Sequence, residues 1–257
     1  MPVASSPVDE KTAQLLEMIR ASERVVALTG AGISTASGIP DFRSPGGLWE
    51  DVDPMEVATL TVFREDPERF WSFYRSRLDM AGQFEPNPGH LLLADLEKLG
   101  KLSAVITQNI DGLHQAAGVS PELVFEIHGS VRELVCLGCG ERYPREEIDQ
   151  LSESGLPRCR CGEVLKPAVV LFEEMLPEEE VGRSVEALAG CDLLLLIGSS
   201  LVVYPAAGLP AQRNPAASMV VLNAEPTPWA GEADLWLDGD IAERSAELSR
   251  ALTEEPE

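Results

Sequence analysis

Residues 25–47 read VVALTGAGISTASGIPDFRSPGG, and the fold follows from this stretch. Val25, Val26, Ala27 and Leu28 form an apolar run with two β-branched members that stops abruptly at Thr29-Gly30-Ala31-Gly32. A short apolar run closed by turn residues reads as a buried strand. Gly30 and Gly32 have no Cβ, so the turn can be tight and a phosphate can approach the N–H groups that follow it. The dinucleotide-binding pattern is incomplete, because Thr35 stands where a third Gly or Ala belongs and Gly38 arrives late. A simple hydride-transfer site is thereby disfavoured. Residues 38–47 are too rich in Gly and Pro to stay helical and read as a mobile loop lying over a ligand.

The same pattern recurs along the chain. Residues 102–107 predict a strand ending at Gln108-Asn109-Ile110-Asp111-Gly112, residues 124–127 one ending at His128-Gly129, and residues 169–172 one ending at Glu173-Glu174. Residues 192–197, DLLLLI, end at Gly198-Ser199-Ser200, and residues 219–222 end at Asn223-Ala224-Glu225. Helical periodicity occupies residues 9–22, a segment starting at His90, and the tail after Asp240. Apolar strands alternating with helices predict an α/β fold, a Rossmann-like parallel sheet with helices on both faces. Polar residues at the strand ends mark the ligand side, because open α/β sheets bind beyond the carboxyl ends of their strands. Residues 49–81 are helical in tone, broken by Pro54 and Pro67, and hold Phe63, Phe70, Trp71, Phe73 and Tyr74, the makings of a small helical core.

Composition narrows the function classes. The 257 residues carry 43 acidic against 20 basic side chains, a formal charge of −23, which opposes nucleic acid and anionic lipid. No apolar run approaches the roughly 18 residues of a membrane span, and the N-terminal sequence does not resemble a secretion signal, so a cytoplasmic location is expected. Oligomeric state stays open. Nineteen residues separate the pair Cys136 and Cys139 from the pair Cys159 and Cys161, a spacing that reads as a four-cysteine zinc site with a structural role, since no coordination position remains for water. The second pair is Cys-x-Cys where Cys-x-x-Cys is commoner. Cys191, alone at the head of a strand, reads as a small buried hydrophobe.

Taken in order, Gly30-Ala31-Gly32-Ile33-Ser34, Gly38-Ile39-Pro40-Asp41-Phe42-Arg43, Gln108-Asn109-Ile110-Asp111, His128-Gly129, the cysteine pairs, Gly198-Ser199-Ser200-Leu201 and Asn223-Ala224-Glu225 resemble the sirtuins, NAD-dependent protein-lysine deacylases, across roughly residues 20–250. The resemblance implies one catalytic unit. Its large Rossmann-like part would take in about residues 8–47, 88–131 and 164–252, and its small part a helical insertion at 48–87 with a zinc ribbon at 132–163. NAD and an acylated protein lysine would meet between the two parts. Nicotinamide would sit among Ala31, Ile39, Asp41, Phe42, Asn109 and Asp111, with Gln108 and Asn109 on the ribose and the Gly30 turn on the diphosphate. Ser199, Asn223, Glu225 and the backbone near Ile241 would hold the adenosine half, with Gly32, Arg43, Gly198 and Ser200 completing the cofactor set.

In the implied reaction the acyl oxygen attacks C1′ of the ribose, nicotinamide leaves as an alkylimidate forms, and His128 is the general base, with Asn109 as the second catalytic residue. Imidazole suits that role because its pKa lies near neutrality. Position singles out His128, which follows a strand and precedes a glycine, whereas His90 at a helix start and His114 within a helix read as fixed structural donors. Products would be nicotinamide and O-acyl-ADP-ribose.

Tyr74, Arg77 and Ala58 resemble the subgroup that accepts succinyl, malonyl or glutaryl lysine, where a guanidinium and a phenol bind the distal carboxylate and a small residue widens the pocket. Val170 and Phe172 would flank the substrate peptide as strands. One departure bears on this, because Glu173 stands where the family usually has Gly between Phe and Glu. Mono-ADP-ribosyl transfer and a non-catalytic NAD or ADP-ribose sensor remain as alternatives.

Overall fold

The computed structural model describes residues 9–41, 52–80, 83–152 and 155–254, with backbone alone at residues 76, 77, 79 and 80. Strands β1 (Val25–Thr29), β2 (Leu102–Thr107), β3 (Val124–Glu126), β7 (Leu193–Ile197), β8 (Ser218–Leu222) and β9 (Leu235–Leu237) form a six-stranded sheet in the order β3-β2-β1-β7-β8-β9. Every pairing in it is parallel. Strands β4 (Gly129–Cys136), β5 (Arg142–Pro144) and β6 (Leu165–Val169) form a separate antiparallel sheet in the order β5-β4-β6.

Alternate residues of the parallel strands face two different cores. Val25 and Ala27 point to one side, where they pack with α1 (Glu10–Ala21), α4 (Pro88–Lys98) and α8 (Ile241–Thr253) through Leu15, Leu93 and Leu248. Val26 and Leu28 point to the other, against Leu188 of α7 (Glu178–Gly190) and a 3₁₀ segment at Ala206–Gln212. Burial on both faces explains why β1 and β7 are continuously apolar, with no polar alternation. A third core gathers Phe63 of α2 (Leu60–Glu65), Phe70, Trp71 and Tyr74 of α3 (Pro67–Met80), Leu134 and Cys136 of β4, Tyr143 of β5 and Leu165 of β6. Two stretches far apart in sequence therefore share one apolar interior. No helix among the described residues is long and apolar enough to cross a membrane.

The strand expected at residues 169–172 sits differently. The ladder runs through Leu165–Val169 and pairs antiparallel with β4, outside the parallel sheet. Lys166 and Pro167 conceal it in the sequence. The Lys166 side chain is only 4% exposed, and its ammonium reaches the Val169 carbonyl at 2.6 Å and Glu174 at 2.9 Å. Burial lowers the Lys166 pKa and Glu174 opposes that shift.

Strand order reverses between β1 and β7, and there two turns touch. A Cβ on Gly30 would lie 2.7 Å from the Cβ of Ser199, and one on Gly32 would lie 2.8 Å from the Gly198 carbonyl oxygen. Gly198 itself has φ +61°, and a Cβ there would fall 2.2 Å from the Ile33 nitrogen. Gly198→Ala should therefore lower the unfolding free energy by about 3 kcal/mol or more, combining left-handed strain with overpacking. Gly100→Ala is the control, since its φ is +70° but nothing lies within 4 Å. Denaturant melts giving equal losses for both variants would show that the contact itself carries no cost.

Candidate active site

The carboxyl ends of five strands lie in one row. Register pairs Glu126 with Thr107, Thr107 with Thr29, Thr29 with Ile197, and Ile197 with Leu222. The polar residues named from the sequence follow directly behind these ends. Gln108 leaves β2 and its Nε2 donates to the Ser199 Oγ at 2.7 Å, joining the β2 and β7 turns. The Gln108 carbonyl lies 3.0 Å from His128 Nδ1. If that nitrogen carries the proton and donates to the carbonyl, Nε2 is left as the basic atom. Burial pulls the His128 pKa below its ordinary value, while the Gln108 bond pushes the other way. Gly129 follows because a Cβ there would lie 2.1 Å from the Ala168 carbonyl oxygen, where β4 and β6 cross.

Asn109 and Asp111 converge on Ser34. Asn109 Nδ2 donates to the Gly30 carbonyl at 3.2 Å and to Ser34 Oγ at 3.0 Å, and Ser34 Oγ donates to Asp111 Oδ2 at 2.7 Å. The other Asp111 oxygen accepts from the Leu113 N–H, the first residue of α5 (Leu113–Ala116), at 2.9 Å. His90 completes the group. Its Nδ1 accepts from the Asn87 N–H at 3.3 Å, which leaves Nε2–H to face Ser34 Oγ at 3.3 Å. On the far side, His114 Nε2 lies 2.9 Å from Thr29 Oγ1, which bonds Thr107 Oγ1 at 2.9 Å. His114 Nδ1 is buried with no hydrogen-bond partner among the described residues.

His90 is thus part of the site as well as a helix-capping residue, and Ser34 links it to Asp111. The link between Ser34 and His90 is not legible in the sequence, because the two stand 56 residues apart and no local spacing relates them. Within the glycine turn the two glycine N–H groups are engaged by the protein itself. The Gly30 N–H donates to the Ile197 carbonyl at 3.1 Å and the Gly32 N–H to the Gly198 carbonyl at 2.8 Å. The missing Cβ atoms serve the approach of two backbone turns, and those two donors are engaged within the protein. A short 3₁₀ turn at Ala31–Ile33 follows Gly30.

The remaining candidates are distributed around this centre. Ile39 and Asp41 are half-buried beyond Gly38, and Phe42 and Arg43 lie outside the described residues. Ser200 is exposed beside Ser199. Asn223 donates its amide to the Glu225 carbonyl at 2.7 Å, fixing the turn after β8. Ile241 opens α8 and is packed against the first core. Ala58 and Tyr74 are buried together in the third core, to which Ile110 adds a half-buried contact between Asn109 and Asp111. The Arg77 side chain lies outside the described residues. Val170 donates to the His128 carbonyl at 2.8 Å and Phe172 to the Ala58 carbonyl at 3.1 Å.

Away from the crevice, Cys136, Cys139, Cys159 and Cys161 bring their sulfurs within 4.8 Å of one another, with two pairs at 3.5 Å. Four thiolates about 2.3 Å from a tetrahedral zinc would stand a little under 4 Å apart, so this donor set fits the metal. The shortened Cys-x-Cys pair does not prevent convergence.

A model of the Sir2 family matches residues 30–205. An NAD-dependent protein deacetylase of Sulfurisphaera tokodaii is 46% identical over 224 residues, covering 85% of this chain and 87% of that protein. The NAD-dependent protein deacylase 2 of Archaeoglobus fulgidus is 42% identical over 252 residues, covering 96% and 97%. A solved complex of Sir2 with a p53 peptide and NAD+ aligns with a TM-score of 0.85 at 37% identity, over 94% of this chain and 98% of that one. The chain belongs to the Sir2 family, whose enzymes use NAD+ as co-substrate.

Two predictions follow from the site's chemistry. Metal analysis should find one zinc per chain, and chelation should unfold β4–β6 before the parallel sheet, since a structural zinc contributes on the order of 10 kcal/mol to a small module. Unchanged hydrogen exchange in β4–β6 after complete metal removal would contradict this. The second concerns pH. Burial lowers the pKa of His90 to about 4 and of His114 to about 3, from 6.5. The unfolded chain then binds more protons than the folded one, so stability is intact above pH 6.5 and falls as pH drops toward 4. The two sites together set a slope of up to about 2.7 kcal/mol per pH unit. His114→Asn should remove roughly half of that slope in urea melts between pH 6.5 and 4.5; an unaltered slope would assign the protons to other groups.

Proposed function

We propose that the chain removes acyl groups from protein lysine in an NAD-dependent reaction, giving nicotinamide and O-acyl-ADP-ribose. The observation that carries this reading is the row of strand ends, where His128, Gln108, Ser199, Asn109 and Asp111 converge at the point of strand-order reversal. NAD supplies an electrophilic sugar carbon with nicotinamide as leaving group, and the chain's residues bind, orient and move protons around it. Asp111, braced by Ser34 and the Leu113 N–H, offers an acceptor for a carboxamide N–H. His128 Nε2, with Nδ1 held on the Gln108 carbonyl, is the nitrogen available to take a proton from a ribose hydroxyl. Gln108 and Asn109 orient the sugar, and the Asn223 and Ser199 turns receive the adenosine half. The cysteines would hold zinc for stability and lie outside the chemistry.

For the acyl group, the proposal extends to succinyl and malonyl as well as acetyl. Support comes from Ala58 and Tyr74 sharing one buried cluster with Ile110, and from Arg77 lying one helical turn beyond Tyr74 on α3. A guanidinium in such a pocket can bind a carboxylate bidentately.

The test is turnover of acetyl-, succinyl- and glutaryl-lysine peptides with NAD, following nicotinamide and deacylated peptide together. Arg77→Met should lower kcat/KM for the succinyl peptide by about 10- to 100-fold and leave the acetyl peptide within about twofold. Equal losses on both peptides would refute the carboxylate contact. Labelled protein without deacylated peptide would replace deacylation with ADP-ribosyl transfer.

A further inference from the structure

Glu173 adopts φ +73°, a backbone conformation that glycine takes freely and other residues rarely do. Non-glycine residues persist there when surrounding contacts hold them. The segment around it is tied at every step. The Leu171 N–H donates to Glu174 Oε2 at 2.8 Å, the Glu174 N–H returns to the Leu171 carbonyl at 3.1 Å, and Lys166 Nζ reaches the same Glu174 oxygen at 2.9 Å. Phe172 then crosses to the helical insertion, donating to the Ala58 carbonyl and accepting from the Leu60 N–H, each at 3.1 Å. Glu173 adds a third rung, since its Oε2 accepts from the Thr61 N–H at 2.9 Å.

Thr61 is the second residue of α2, where a backbone amide has no acceptor inside the helix. The neighbouring amide of Val62 is satisfied by Thr59 Oγ1 at 3.0 Å. Two first-turn donors of α2 are thus met by side chains from two segments, one before the helix and one more than a hundred residues later. Ala58 lies in the same seam and is 3% exposed, against Leu171 and Tyr74. The Thr61–Glu173 bond therefore adds a side-chain tie to the two backbone bonds that hold Ala58 and Leu60 to Phe172. A glycine at 173 would take up the turn without strain but would supply no acceptor.

We propose that Glu173 is a positioning residue for the acylated substrate: its carboxylate clasps α2 to the segment after β6 and reinforces the backbone pairing that spaces Ala58 and Phe172. This rests on the deacylase reading above. The glutamate that replaces the family's usual glycine is then bonded inward to Thr61, with its tight turn retained.

Three variants test it, with the KM for an acyl peptide, the KM for NAD, and the hydrogen-exchange rate of the Thr61 amide measured on each. Glu173→Gln keeps an acceptor oxygen and should leave all three within about twofold of the parent. Glu173→Ala keeps the left-handed strain without the acceptor; its peptide KM should rise about three- to tenfold with the NAD KM unchanged, and Thr61 exchange should accelerate. Glu173→Gly should also accelerate Thr61 exchange, with a smaller rise in peptide KM because the turn is relaxed. If Gln and Ala variants raise the peptide KM equally while Thr61 exchange stays at the parent rate, the carboxylate charge is read by the peptide itself and the clasp is overturned. No change in any variant overturns it as well. Should the parent turn over no acyl peptide, the deacylase reading fails, and Thr61 exchange still reports separately on the clasp.

Discussion

The turn after β1 and the turn after β7 approach so closely that no side chain fits between them. Gly30, Gly32 and Gly198 each stand where a Cβ would meet the opposite turn at 2.2–2.8 Å. Hydrogen bonds from the Gly30 and Gly32 N–H groups to the Ile197 and Gly198 carbonyls lock that contact. Because β1 and β7 are the strands between which the order reverses, the contact forms the floor of the crevice where an open parallel sheet receives its ligand. A floor made of backbone has no rotamers to rearrange. The side chains that work above it, Gln108, Asn109 and Ser199, are referenced to a rigid base.

Behind the floor lies a polar group that burial keeps neutral. His90 and His114 stand with ring centroids 5.1 Å apart, and desolvation is the leading cause of the lowered pKa in both. A charged imidazole there would lose its hydration with too little in return. Neutral rings can act as both donor and acceptor, and His90 does so between Asn87 and Ser34. In a low-dielectric interior such directional bonds hold one arrangement strongly. The consequence reaches the crevice through Ser34, which fixes both the Asn109 amide and one Asp111 oxygen.

What the sequence made legible is what local pattern encodes. β1 and β7 are five-residue runs buried at every position, so composition alone revealed them, and the polar residues after each strand marked the ligand side. β6 escaped because Lys166 and Pro167 break its apolar run, although the lysine is buried and ion-paired. The glycines mark a tight turn in the sequence, while the close approach of Gly198 to that turn involves a residue too distant in sequence for any window to reveal. The placing of His90 at a helix start is legible, but there its Nδ1 accepts from the Asn87 N–H, and its contact with Ser34 depends on a fold-level meeting of α4 and the β1 turn. Four cysteines in two pairs were enough to foresee their convergence, since a metal site states its ligands by spacing.

The small part of the molecule explains why the histidine turn is held where it is. β5 has three residues and α6 (Ile148–Leu151) four, too little to fold alone. The small module is held to the helical insertion by Trp71 Nε1 on the Leu165 carbonyl of β6 at 3.0 Å and by Arg145, just after β5, on the Leu78 carbonyl at 2.6 Å, while the four cysteines gather at the edge of the same core. The small sheet meets the parallel sheet, among the described residues, at two adjacent places. One is the β3–β4 connection that carries His128; the other runs from β6, where Val169 pairs with Gly129 and Val170 donates to the His128 carbonyl. The histidine backbone is thus gripped by the small sheet while its Nδ1 is held by the Gln108 carbonyl from the large one. The cysteines, the buried aromatics and the Lys166–Glu174 pair, which order the small sheet, therefore share in setting where the His128 ring lies.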